Sequence, residues 1–157
     1  MMKRIILFLV GLSPYMLGFL YNRRFIFGST MHDRSILFFR IHLLAGVMFL
    51  VIWFLIGIIS IKFIRSRMES FLLLNASAFL MLLLQLYQTL AYGRPDFIGN
   101  VTYYFFFPFF RLSLTLTFMF YEWAIYDFLQ YVVPFFGLLI FSFWGRVIAE
   151  QRSSRTK

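Results

Sequence analysis

The chain has 157 residues, 62% of them hydrophobic, and its 15 Lys and Arg outnumber its 6 Asp and Glu to give a formal charge of +9. That composition argues against a water-soluble domain. The positive balance suits an anionic lipid surface rather than nucleic acid, because no basic stretch is interleaved with aromatics outside the apolar segments. Cys is absent, which excludes disulfides, thiolate metal sites, thiol nucleophiles and palmitoylation.

Five apolar stretches fill most of the sequence: Ile5–Tyr21, Leu43–Ile61, Phe71–Tyr92, Val101–Tyr121 and Phe128–Gly145. About 20 apolar residues rising ~1.5 Å each match the ~30 Å hydrocarbon core of a bilayer. The expected fold is an all-α integral membrane bundle of about five transmembrane helices, or four if 101–121 is re-entrant or interfacial. Residues 1–145 would form one membrane domain, and 146–157 a basic, disordered cytoplasmic tail.

The first stretch follows Lys3 and Arg4 and resembles the start of a signal peptide, but no small-x-small cleavage site follows, so a retained helix is expected. Pro14 in its middle should free a backbone carbonyl that neighbouring helices must cover. Residues 21–42 mix Arg with bulky apolar side chains and read as a loop leading into an interfacial turn of helix. The second stretch contains no charged or amide side chain and stops at Lys62, where KFIRSRMES brings three cations together. In the third, Asn75, Gln85, Gln88 and Tyr92 fall on one helical face, which in lipid should look toward other helices. YGRPDFIGN is a turn.

The fourth stretch, VTYYFFFPFFRLSLTLTFMFY, inserts only marginally. Arg111 near its centre costs ~2.5–3.5 kcal/mol on an insertion scale, whereas each Phe or Leu contributes ~0.3–0.6 in favour. The strand-like alternation of RLSLTLTF is overruled, because an isolated strand in lipid leaves its backbone unpaired. Asp127 is placed to cap the last helix, which holds Gln130 and Pro134.

Orientation follows from counting cations. Five crossings with the C-terminus inside leave eight Lys and Arg on the cytoplasmic side and five outside, whereas four crossings leave nine inside and only four outside. Either way the C-terminus is cytoplasmic, and a plasma membrane is the expected setting.

Candidate binding residues are the ionisable groups Arg111, Glu122 and Asp127, because charges within membrane segments are rare and pair with one another. The amides Asn75, Gln85 and Gln88 join them. Arg40, His42, Arg152 and Arg155 are candidates for lipid headgroups. His32 and His42 have no metal-ligand spacing, and no nucleophile–base pair, His-Glu-x-x-His or Gly-rich phosphate loop occurs. No catalytic residue, metal or cofactor is therefore expected. The best-fitting function is a small accessory protein of assembly, regulatory or immunity type. It would work by binding another membrane protein, or by self-association, in a bilayer with anionic lipids and without nucleic acid. The alternatives are a small oligomeric transporter or channel using the third-helix stripe and Arg111, and a lipid-modifying enzyme.

Overall fold

The computed structural model describes residues 1–25, 36–91, 97–109, 112–113, 116 and 126–155. Among these, all regular structure is helical. The elements are α1 (Met2–Phe25), α2 (Ile36–Ile59), α3 (Arg67–Ala91), α4 (Phe97–Phe106) and α5 (Tyr126–Arg155), and short 3-10 turns at Ser60–Lys62 and Phe107–Phe109 follow α2 and α4. Within them, four spans are long and apolar enough to cross a membrane: Met2–Leu20, Leu43–Lys62, Arg67–Leu90 and Phe128–Ser154.

Cross-helix contacts fix the direction of each helix. Arg4 pairs with Glu69 at 2.5 Å, and Ser77 donates to the Gly11 carbonyl, so α1 and α3 run parallel. Glu150 near the end of α5 receives Arg67 Nε at 2.8 Å from the start of α3, so α3 and α5 are antiparallel. Arg146 of α5 reaches Ser60 and the Ile64 carbonyl just beyond α2, so α2 and α5 finish together. The N-terminus, the α2–α3 turn and the end of α5 therefore share one end of the bundle, called here the basic end.

One consequence concerns the fourth apolar stretch. The chain leaves α3 and enters α5 at the same, opposite end. Of the two expected arrangements, the described residues fit four long helices rather than about five, which would put the termini at opposite ends. The physical reason lies at FFFPFF. At ~1.5 Å per residue, the 10-residue α4 is about half a bilayer core long. Pro108 then lacks the N–H that continued helix needs. Beside α2, Phe109 meets Phe49 edge-to-face at 5.0 Å, about three turns from the basic end. Leu112 then lies against Gly46 and Ser113 against the Gln130 carbonyl, both nearer the opposite end. The described part of this stretch thus dips to mid-bundle and starts back.

The last ten residues of α5 are a second departure. Residues 146–155, expected as a disordered tail, continue the helix. Arg146 and Glu150 pair at i, i+4 with Nε–Oε1 2.8 Å, Ala149 between them is buried, and Glu150 also holds Arg67. These contacts tie the segment to the bundle.

The interior is aromatic and closely packed. Trp53, Phe105, Phe106, Phe109, Leu74 and Leu138 are fully buried. A close seam joins α2 and α5, where a Cβ added to Gly57 would fall on the Ser142 carbonyl and one added to Gly145 on that of Phe54. Backbones approach this closely only where side chains are missing, the usual device of helices that associate without a hydrophobic driving force.

Candidate functional site

Two polar clusters occupy the bundle. At the basic end Arg146, 2% exposed, sits where α2 has ended and α3 has not begun. Its guanidinium donates to the carbonyls of Ile64 at 2.8 Å and Arg65 at 2.7 Å, to Ser60 Oγ at 3.4 Å, and through Nε to Glu150 at 2.8 Å. Carbonyls past a helix end lack helical donors, and a cation there also meets the negative pole of the α2 dipole. Glu150 accepts from Arg67 as well, and the Arg67 guanidinium lies 5.9 Å from the centroid of Phe143, within cation–π range. One carboxylate thus links two arginines from different helices.

The second cluster is neutral and lies deeper. Asn75, fully buried, donates to Ser142 Oγ at 3.0 Å and to the Phe71 carbonyl at 2.9 Å, and accepts from Trp53 Nε1 at 3.4 Å. Three helices meet at that one amide. Farther along α3, Thr102 of α4 donates to Gln85 Oε1 at 2.5 Å. Gln88 is buried on the same face.

Both internal prolines have a hydroxyl nearby. Pro134 leaves the Gln130 carbonyl without its helical donor, and Ser113 Oγ, from the returning stretch, donates to that oxygen at 2.6 Å. Pro14 does the same to Val10, and one residue on, the Gly11 carbonyl receives Ser77.

The remaining candidates divide as follows. Arg111, Glu122 and Tyr92 lie outside the described residues, as does His32. Asp127 stands in the first turn of α5, Arg40 and His42 in the first two turns of α2, and Arg155 at the end of α5, but their side chains lie outside the described set. Arg152 is exposed on the last turns of α5. Asn75, Gln85 and Gln88 are brought to the interior. Among the described residues no three His, Asp or Glu converge as metal ligands would.

Sequence reasoning missed Arg146 and Glu150, assigning them to the tail. Their i, i+4 spacing with apolar Val147, Ile148 and Ala149 between them was the available signal. It also missed Ser113, whose meaning depends on Pro134 in another helix. The α2–α5 seam carries its small residues three apart, as Gly57/Ser60 and Ser142/Gly145, so a search for GxxxG passes over it.

No family model, no curated protein and no solved structure matches this chain.

Proposed function

We propose that the protein is a four-helix, multi-pass membrane protein with both termini cytoplasmic, which acts by binding another membrane component rather than by catalysis. One observation carries this reading: the surface is apolar where a soluble bundle is polar, and the polar side chains are turned inward. Leu9, Leu20, Met48, Val51, Leu55, Leu72, Leu80, Leu83 and Leu90 are all exposed, while Asn75, Gln85, Ser77, Ser142 and Thr102 are buried and bonded across helices. Lipid imposes this pattern, because it solvates Leu and leaves an amide unsatisfied.

The orientation is supported by charge. Lys3, Arg4, Lys62, Arg65, Arg67, Arg146, Arg152 and Arg155 belong to the basic end, eight of the 15 cations, and an excess of that size favours the cytoplasmic side. Action through partner contacts is supported by what the interior polar groups do. Asn75, Gln85, Ser113 and Arg146 each hold one helix to another or to a backbone carbonyl, which is scaffold chemistry. The exposed leucines of α3, with Tyr87 among them, supply a broad apolar face for a neighbouring helix. A plasma membrane remains the proposed setting.

The test has two arms. Reporters fused at each end should both register the cytoplasm, and the protein should resist carbonate extraction. Purification in mild detergent should then return a defined membrane partner or a defined oligomer. Reporters on opposite sides would overturn the topology, and recovery as a lone monomer would overturn the binding role.

A further inference from the structure

The basic end has a constructed surface that the partner-binding role leaves unused. Seven cations with described side chains stand there, Lys3, Arg4, Lys62, Arg65, Arg67, Arg146 and Arg152, against two acids, and contacts within the bundle engage both acids. Glu69 holds Arg4, and Glu150 holds Arg67 and Arg146. Lys3, Lys62 and Arg65 are exposed, and Lys62 and Arg65 flank a turn that does not hang loose. Arg146 grips the carbonyls of Ile64 and Arg65 from beneath, Ser60 Oγ bonds the Gly57 carbonyl, and the Phe63 and Ile64 N–H groups return to Ser60. The backbone that carries the two side chains is therefore fixed. Its depth is marked separately: Trp144, 64% exposed and two residues before Arg146, is the residue type that settles at the level of lipid headgroups.

We infer that this turn, with Lys3 at the same end of the bundle, is a binding surface for anionic phospholipid headgroups of the cytoplasmic leaflet. Charge complementarity and position carry the inference: exposed cations on a fixed backbone near headgroup depth, with the nearby carboxylates already engaged. Arg146 contributes without touching lipid. It is a positioning residue, and its burial beneath the turn leaves Lys62 and Arg65 as the groups that meet phosphate. The inference rests on the membrane-spanning reading above, but not on the identity of any protein partner.

Native mass spectrometry of the detergent-purified chain tests it, with phosphatidylglycerol offered against phosphatidylcholine of the same acyl chains. The expected result is preferential retention of phosphatidylglycerol that weakens with salt. It should drop about fivefold for each cation lost in Lys62→Gln and Arg65→Gln, with phosphatidylcholine unaffected. Arg23→Gln with Arg24→Gln, at the other end, should change little. Arg146→Ala should also weaken retention although its guanidinium is buried, and Arg146→Lys should restore only part, because an ammonium lacks the planar fork. If Arg146→Ala fails to fold, the Lys62 and Arg65 variants decide the question. Equal retention of the two lipids, no change in the Lys62/Arg65 double variant, or displacement by equimolar inorganic phosphate would each overturn the inference. Loss of a copurifying acidic protein with lipid retention intact would overturn it as well. Carbonate resistance, measured on the same preparations, separates failure of this inference from failure of the membrane-spanning reading.

Discussion

The basic end and the first turns of α5, near the opposite end, face the same problem and answer it differently. At each, backbone carbonyls lack a helical donor: Ile64 and Arg65 because α2 has ended, Gln130 because Pro134 has no N–H. At each, a side chain from a distant segment donates instead. At the basic end the donor is a guanidinium backed by Glu150; in α5 it is the Ser113 hydroxyl. The difference reflects the surroundings. A buried cation is tolerable where an acid and several carbonyls converge, whereas a single carbonyl could not return the cost of burying a charge. Membrane proteins should therefore patch helix ends with charges and helix interiors with hydroxyls and amides.

The largest effect should come from removing the close approach of α2 and α5 beside Arg146. In Gly145→Leu the side chain would begin on the Phe54 carbonyl, and backbone cannot yield as a flexible side chain would. The expected outcome is loss of folded protein, a penalty above ~3 kcal/mol, read as failure to recover a monodisperse peak in detergent. The exposed substitution Leu80→Ala should leave that peak unchanged.

Arg146→Ala comes next and attacks the charged answer directly. It strands two carbonyls and leaves Glu150 with Arg67 alone. Removing one member of a buried pair costs ~3–5 kcal/mol, and the partial exposure of Glu150 puts the expectation near ~3 kcal/mol, measured as a fall in thermal stability in detergent. Arg67→Ala removes an exposed contact and should cost under ~1 kcal/mol. Equal effects at the two positions would erase the distinction drawn here between buried and rim charges.

Ser113 tests the neutral answer through a compensating pair. Ser113→Ala should cost ~1–3 kcal/mol, the penalty of a buried carbonyl left without a donor. In a Pro134→Ala background the helix regains its own N–H, and the cost of Ser113→Ala should shrink toward zero. Undiminished cost in the double variant would show that Ser113 serves something other than the proline.

Much of this arrangement was legible in the sequence, and the limits have physical causes. Lengths and hydropathy located α1, α2, α3 and α5, because lipid demands one apolar helix per crossing. The inward face of α3 could be read because amides in lipid have few places to go. The count of crossings was harder. Arg111 and the cation split already weighed against a crossing by 101–121, and the pairing of distant ends, Arg4 with Glu69 and Arg67 with Glu150, decides for four long helices. Arg146 was misread for a related reason. A basic run after a membrane segment usually lies in solvent, and nothing local reveals that the α2–α3 turn offers carbonyls to cap. The small-residue seam escaped because Gly57 and Gly145 matter through backbone oxygens on the facing helix.

The smallest expected effect concerns Gln85 and Thr102, and it bears on whether the stripe of α3 is scaffold or pathway. The two side chains form a single buried hydrogen bond between α3 and α4. Such bonds in membrane bundles average ~0.6 kcal/mol and reach ~1.7, because the separated helices find other partners in lipid. A double-mutant cycle with Gln85→Leu and Thr102→Val should therefore give a coupling of about 0.6 kcal/mol in thermal or denaturant unfolding. Each single change should leave partner recovery intact. A scaffold bond predicts that small energy together with unaltered behaviour in proteoliposomes. A pathway predicts the reverse, since an amide that binds a passing solute alters flux far more than it alters stability. Measured flux that collapses in Gln85→Leu, with near-zero coupling to Thr102, would move the function from contact to transport.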